Sequence, residues 1–156
     1  LAPAALGVGL GVGLGLSAVD EALAALADRV DVGYSEALRT AMARETVGGW
    51  AVLLGVVVPL TAAAEEVVFR AALVGGLAAG FGVSPWLLAV ASSLLFGAAH
   101  GAQGRAGVVV TTALGALLAA TFVVTGSLPA VVVAHTTVNT VEFVGHELLA
   151  PDPGRL

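Results

Sequence analysis

Long apolar runs and short polar breaks alternate along the chain, and this pattern predicts a series of membrane-crossing helices. Residues 3–19, 46–82, 106–125 and 128–149 are nearly continuous runs of Ala, Val, Leu and Gly. A shorter apolar run, 84–100, opens with Ser-Pro-Trp, which is typical of a helix N-terminus. Because about 20 apolar residues span a bilayer, we predict an all-α, polytopic transmembrane helix bundle with about five spans.

Two of these runs contain residues that shape the predicted helix. Three of the glycines in the first run, Gly7, Gly11 and Gly15, are spaced four residues apart. They would form a close-packing face on a helix over about 3–27, because small residues let two backbones approach. The run 46–82 is too long for one straight span, so Pro59 predicts a bend, a tilt or a break shortly before the polar groups of this run.

The stretch 28–46 has the composition of a solvated loop, and we predict a short surface helix over 35–45. It holds three of the six basic residues of the chain, all of them arginine, so the positive-inside rule predicts a cytoplasmic position. We predict that the last residues, 150–156, form a frayed end of the chain. Since the chain begins with Leu1, we expect it to be a piece of a longer protein.

Composition restricts the class of protein. Hydrophobic residues make up 58% of the chain and charged residues 11%, where a soluble domain is nearer 45–50% and 25%. The formal net charge of -5 and the lack of lysine argue against nucleic acid as a partner, and the lack of cysteine excludes disulfides and thiolate chemistry. We therefore expect one membrane-embedded domain over 1–156, a multi-pass integral membrane protein whose residue bias favours a prokaryotic cell membrane.

Glu65, Glu66 and Arg70 interrupt the second apolar run. Ionisable side chains at membrane depth are costly, so they indicate a functional site. On a helix Glu66 and Arg70 lie four residues apart on one face, while Glu65 points about 100° away from Glu66. One carboxylate can then pair with the arginine while the other faces a different group. A purely structural Glu–Arg pair is the alternative.

Two further helices carry polar groups that complete this set. Phe96 and His100 share one face of the short helix. The last run carries a stripe within an arc of about 60°, made of His135, Asn139, Glu142 and His146. Two histidines, an asparagine and two glutamates supply a general base, an imidazole and hydrogen-bond donors, which are the parts that hydrolysis of an amide by activated water needs. For Glu142 and His146 we favour capping and packing.

These residues form three motifs, EExxxR (Glu65 to Arg70), FxxxH (Phe96 to His100) and HxxxN (His135 to Asn139). In this order on successive hydrophobic helices, they resemble the CPBP family of CAAX proteases and bacteriocin-processing proteins, the Abi intramembrane glutamic endopeptidases. The resemblance covers about 47–145, which would be the catalytic core. Ala71 departs from the pattern, since a glycine is common at that position.

The resemblance implies a role for each motif residue. Glu65 with His100 would activate the attacking water, and His135 with Asn139 would form the oxyanion hole. The supporting residues would be Glu66, Arg70 and Phe96. It also implies a peptide or protein substrate in the lipid bilayer: prenylated CAAX tails in eukaryotic relatives, and bacteriocin maturation, self-immunity or signal-peptide processing in prokaryotic ones.

The implied roles require the side-chain ends of Glu65, His100 and His135 to lie within about one water-bridged contact of each other. If every helix crossed fully, the two imidazoles would lie at different depths. We therefore predict that the short helix ends at the depth of His135, or that the next helix tilts strongly.

Other functions remain open at this point. The same carboxylates and imidazoles could hold Zn²⁺ or another divalent metal in a metalloprotease, although HExxH is absent and the resemblance implies no metal and no cofactor. A non-catalytic immunity or partner-binding protein, or a proton-coupled transporter with a Glu/His relay, would use the same buried groups. Substitution of Glu65 and His100 distinguishes them, because only a protease loses cleavage while it still folds.

Overall fold

The structure, a computed structural model, describes residues 2–29 and 37–149, and these form helices joined by short turns. In chain order the helices are α1 (Pro3–Arg29), α2 (Ala37–Met42), α3 (Val47–Phe81), α4 (Pro85–Ala99), α5 (Gly104–Thr125) and α6 (Leu128–Phe143). A 3₁₀ turn, Gly101–Gln103, joins α4 to α5, and α6 continues as a π-helical segment, Val144–Leu149. This part of the chain contains no strand, so the all-α prediction is confirmed; the predicted frayed end and part of the charged stretch lie outside it.

Three of the described helices are long and apolar enough to cross a membrane. They are Pro3–Leu26, Val47–Phe81 and Gly101–Thr125, and their composition makes the chain an integral membrane protein. Helix α4 is equally apolar but has only 15 residues, since it begins at Pro85 and ends before the glycine-rich turn. The bundle thus combines full-length spans with a shorter apolar helix, where the sequence predicted about five spans.

The helices pack as two close pairs with α3 between them. Helix α1 lies along α6, and α4 lies along α5; the middle of α3 contacts both α6 and α4. Apolar side chains face outward, as the exposures of Leu60 (65%), Leu87 (63%) and Val109 (68%) show, whereas Glu66 and Arg70 are fully buried. This polarity is the reverse of that of a soluble protein, and it suits a surface that faces hydrocarbon.

Helix α3 continues without a break through Pro59. The segment just before the proline, Leu53–Val57, is π-helical, and the N–H of Val58 donates to the carbonyl of Leu53. A proline ring clashes with the carbonyl four residues earlier in an α-helix, and the wider π turn relieves that clash. The break that the sequence allowed near Pro59 is therefore absent.

The packing face of α1 differs from the predicted one. Gly7, Gly11 and Gly15 have open space around them, and Gly9 and Gly13 instead face α6. A Cβ on Gly9 would lie 2.6 Å from Cβ of Val133, and one on Gly13 would lie 2.6 Å from Cβ of Thr137. The prediction of the 7/11/15 face was wrong, because the odd-numbered glycines offer α6 two nearly opposite small faces.

Candidate active site

The predicted pair of Glu66 and Arg70 forms the buried centre of the site. Nη1 of Arg70 donates to Oε1 of Glu66 at 3.0 Å, one turn apart on α3, and both side chains are fully buried. The other terminal nitrogen, Nη2, donates to the carbonyl oxygen of Gly115 on α5 at 2.9 Å. The guanidinium group also lies over the ring of Phe96, 4.6 Å from its centroid. A buried charge is tolerated only with such partners, and here they come from three helices.

His135 on α6 lies between the two glutamates of α3. Its Nδ1 is 2.8 Å from Oε1 of Glu66, and its Nε2 is 3.5 Å from Oε2 of Glu65. Because Arg70 already donates to the same Glu66 oxygen, that oxygen acts as an acceptor and Nδ1–H of His135 donates to it. This bond fixes the orientation of the ring and leaves Nε2 towards Glu65.

His100 follows the last residue of α4 and is held in a similar way. Its Nδ1 lies 2.7 Å from the carbonyl oxygen of Phe96. A carbonyl oxygen can only accept, so Nδ1 carries the proton and Nε2 is left to accept one. Thus both imidazoles use Nδ1 as an anchor, and both have Nε2 available for chemistry.

The ring of Phe96 contacts both imidazoles. Its ring centroid lies 4.6 Å from that of His100 and 5.7 Å from that of His135. The ring is almost fully buried, and Phe69 packs against it edge to face at 5.0 Å. Helix α4 ends one residue before His100, so it is short, as predicted.

One cleft is lined by four of the eight predicted polar residues. His100, His135 and Asn139 line it, and so does Glu142. Its volume is about 50 Å³, which is room for a few water molecules. The remaining wall includes residues that the sequence did not single out, Leu16, Asp20 and Gln103 among them.

Of the two predicted contacts of Glu65, with His100 and with His135, the structure shows the contact with His135. Within the described part of the chain, the ionic contact of Glu65 is with His135, and its side chain is 27% exposed. His100 and His135 share the cleft, whereas Glu65 is not among the residues that line it. A direct bond from Glu65 to His100 is thus not part of the arrangement.

Two residues of the site, Gly115 and Asp20, lie outside the three motifs and were not predicted. Gly115 supplies a backbone acceptor from a helix without charged residues in its apolar run, and periodicity does not distinguish it from its neighbours. Asp20 reaches the cleft from α1, where two adjacent carboxylates, Asp20 and Glu21, in an apolar helix were the available signal.

The polar residues beyond the cleft form ion pairs. Arg39 on α2 contacts Glu142 and Glu147, each at 3.1 Å. His146 lies 2.7 Å from Glu21 on α1. Glu142 therefore has both a packing role and a place in the cleft wall, while His146 lies in a pair at the surface.

The metal alternative has no matching geometry among the described residues. In this part of the chain no group of three or more His, Cys, Asp or Glu side chains has an arrangement that could hold a metal ion. Glu65, Glu66 and His135 are close, but Glu66 is engaged by Arg70 and by Nδ1 of His135. These groups hold each other in place and do not converge on a point between them.

Comparison with known proteins gives one match. Neither the curated proteins nor the solved structures contain a match to the chain. The family described as type II CAAX prenyl endopeptidase Rce1-like matches residues 47–141, from the first residue of α3 to just before Glu142. This span holds all three motifs and most of the cleft, and it exceeds half of the chain. The chain therefore belongs to the type II CAAX prenyl endopeptidase Rce1-like family, which implies CAAX-type intramembrane protease activity.

Proposed function

We propose that the protein hydrolyses a peptide bond inside the membrane with a water molecule activated by Glu65 and His100. The observation that carries this proposal is the position of His135, which is held between two carboxylates beside a cleft that also contains His100 and Asn139. Buried polar groups from three helices around a space for water are the parts of an acid–base hydrolase.

The first step is attack by water on the scissile carbonyl carbon. Water oxygen forms the new C–O bond while its proton passes to Glu65 or to Nε2 of His100, whose Nδ1–H is held by the Phe96 carbonyl. The same proton then goes to the leaving nitrogen as the C–N bond breaks, which gives a carboxylic acid and an amine. The acid then gives up the second proton of the water molecule to the amine, so the products leave as a carboxylate and an ammonium ion. General acid–base catalysis of this kind contributes about 10²–10⁴-fold.

The second requirement is stabilisation of the oxyanion. The side-chain amide of Asn139 and Nε2 of His135, when that ring is protonated at both nitrogens, are the donors assigned to it. Glu65 and Glu66 flank the His135 ring and balance its positive charge in that form. Removal of one such donor typically costs about 10²–10³-fold in rate.

The substrate belongs to the same proposal. The family implies a CAAX-type target, and processing of bacteriocin precursors or signal peptides is the narrower role that the resemblance suggests. The outward apolar surface and the polar cleft suit a peptide that enters from the bilayer.

The experiment compares membrane proteomes and purified enzymes for the wild type and Glu65→Gln. We expect termini that are present with the wild type and absent with Glu65→Gln, and at least about 100-fold slower cleavage of a peptide built on those termini. Glu65 is partly exposed, and its ionic contact within the described residues is the one with His135 at 3.5 Å, so Glu65→Gln should fold normally.

The matched control is Glu45→Gln, a glutamate that is exposed and lies outside the cleft. It should cleave like the wild type. Equal cleavage by Glu65→Gln and Glu45→Gln would overturn the proposal, and so would proteomes that do not differ.

A further inference from the structure

Helix α5 lies beside the site without contributing a charged side chain to it, yet Gly115 is at the contact point. Its carbonyl oxygen accepts from Nη2 of Arg70 at 2.9 Å. Among the described residues, the hydrogen bonds of Arg70 go to this oxygen and to Glu66. The direction of the guanidinium group is therefore set from two helices.

The orientation of the guanidinium group affects the imidazole of His135, because the two groups share one oxygen of Glu66. Oε1 of Glu66 accepts from Arg70 at 3.0 Å and from Nδ1 of His135 at 2.8 Å. If Arg70 turns, the shared oxygen moves, and the ring of His135 loses its anchor. The chain of contacts runs from the Gly115 carbonyl through Arg70 and Glu66 to the ring that faces Glu65.

The missing side chain of Gly115 matters as much as its carbonyl. A Cβ at this position would lie 2.9 Å from Cδ1 of Phe96 and 3.4 Å from Nη2 of Arg70. Carbon atoms in contact lie about 3.5–4.0 Å apart, so the Phe96 ring would have to move. It cannot move alone, because Arg70, His100 and His135 all lie against it.

We infer that Gly115 is a positioning residue of the active site, which orients His135 through Arg70 and Glu66 and leaves the space in which Phe96 holds both imidazoles. This inference rests on the proposed function, because it assigns Gly115 a part in the same hydrolysis. It concerns a residue outside the three motifs, on a helix that the sequence presents as apolar packing.

The test is Gly115→Ala in the full chain, reconstituted in lipid, with the peptide substrate that the proteomic comparison identifies. We expect kcat to fall at least about 10-fold with KM within about threefold, since misplacement of catalytic groups by about 1 Å costs up to about 10² in rate. At least one limb of the pH profile of kcat/KM should also move, because the contacts of His135 change. A packing role alone would lower stability and leave the pH profile in place.

Two control variants test whether the effect is specific to Gly115. Gly11→Ala, at a helix position with open space around it, should leave kcat and the pH profile unchanged. Ala119→Val, at a fully buried position one turn further along α5, should lower the melting temperature without moving the pH profile.

A double variant keeps the inference testable if Gly115→Ala does not fold. Phe96→Leu removes the ring atom that the new methyl group would meet, so Gly115→Ala should fold in that background and reduce kcat by less than about threefold relative to Phe96→Leu alone. Full reductions in both backgrounds would overturn the inference, and so would an active Gly115→Ala enzyme with the wild-type pH profile. Loss of cleavage in Glu65→Gln with normal Gly115→Ala refutes only this inference; normal cleavage in both refutes the proposed function.

Discussion

Glu65 and Glu66 have different surroundings although one peptide bond separates them. Glu66 is fully buried and its Oε1 accepts two hydrogen bonds, whereas Glu65 is 27% exposed and touches His135 from the other side. The 100° rotation between consecutive helix positions produces this division, and the sequence predicted it. At the residue scale, the short-range partners could be predicted because they lie one helical turn apart.

The partners from other helices could not be predicted in the same way. The Gly115 carbonyl and the place of the Phe96 ring under Arg70 depend on how α4 and α5 meet α3, and no local periodicity encodes that. The resemblance named the motif residues but not Gly115 or Asp20, and it did not predict that Glu65 contacts His135 and not His100.

The Glu66–Arg70 pair yields a prediction about stability. Glu66→Gln leaves the buried guanidinium without its counter-charge, so we expect a loss of about 3–5 kcal/mol and almost no cleavage. Glu66→Gln with Arg70→Met removes both charges and should recover most of the melting temperature in detergent while cleavage stays absent. A double variant that is less stable than Glu66→Gln would contradict this account.

The arrangement of carboxylates and imidazoles also predicts the response to chelators. EDTA and 1,10-phenanthroline should leave cleavage by the purified protein unchanged, because Glu66 is engaged by Arg70 and His135 and the proposed reaction uses Glu65 and His100 directly. Activity and bound zinc are measured on the same sample. Inactivation that added Zn²⁺ reverses would establish the metalloprotease alternative.

At the scale of helices, α1 shows why a pattern can predict an element but not its orientation. Glycine at every odd position from Gly7 to Gly15 gives the helix small residues on two nearly opposite sides. Helix α6 packs against the side that carries Gly9 and Gly13, where the branched side chains of Val133 and Thr137 leave no room for a Cβ. The extent of α1, α4 and α5 was close to the prediction because apolar length and the proline and glycine residues near helix ends are local properties.

The orientation of α1 predicts a contrast between two valine substitutions. Gly13→Val places a branched side chain against Thr137 and the Ala134 carbonyl, so we expect destabilisation of at least about 1–3 kcal/mol and lower activity, since His135 is on the same helix as Thr137. Gly11→Val enters open space and should leave both quantities near the wild type.

Thermal unfolding and cleavage of the two variants in lipid nanodiscs provide the measurement. Equal destabilisation by Gly11→Val and Gly13→Val would mean that α1 faces α6 with a different side. Loss of stability confined to Gly11→Val would restore the face first expected from the sequence.

At the scale of the whole molecule, composition alone identified a membrane protein, because a soluble fold cannot expose so much hydrocarbon. Pairing of the helices was not predictable, since apolar faces of similar composition allow several arrangements. The number of full spans was not predictable either: α4 is apolar but has 15 residues, fewer than the about 20 that span a bilayer.

The outward apolar surface predicts the effect of a charge placed on it. Leu14 lies in the middle of α1 and is 59% exposed, so Leu14→Arg should cost about 2.5–3.5 kcal/mol of insertion free energy. Leu14→Phe should insert normally. Glycosylation mapping or protease protection of the membrane-inserted fraction measures the difference, and equal insertion would show that this side of α1 does not face lipid.

The ring of Phe96, flanked by two imidazoles, has a spectroscopic consequence. Circulating π electrons shift the resonances of nearby nuclei according to their position relative to the ring, so the C–H protons of His100 and His135 report on the same aromatic group. Replacement of Phe96 by leucine removes both displacements together, and magnetic resonance can thus follow the two imidazoles without an added label.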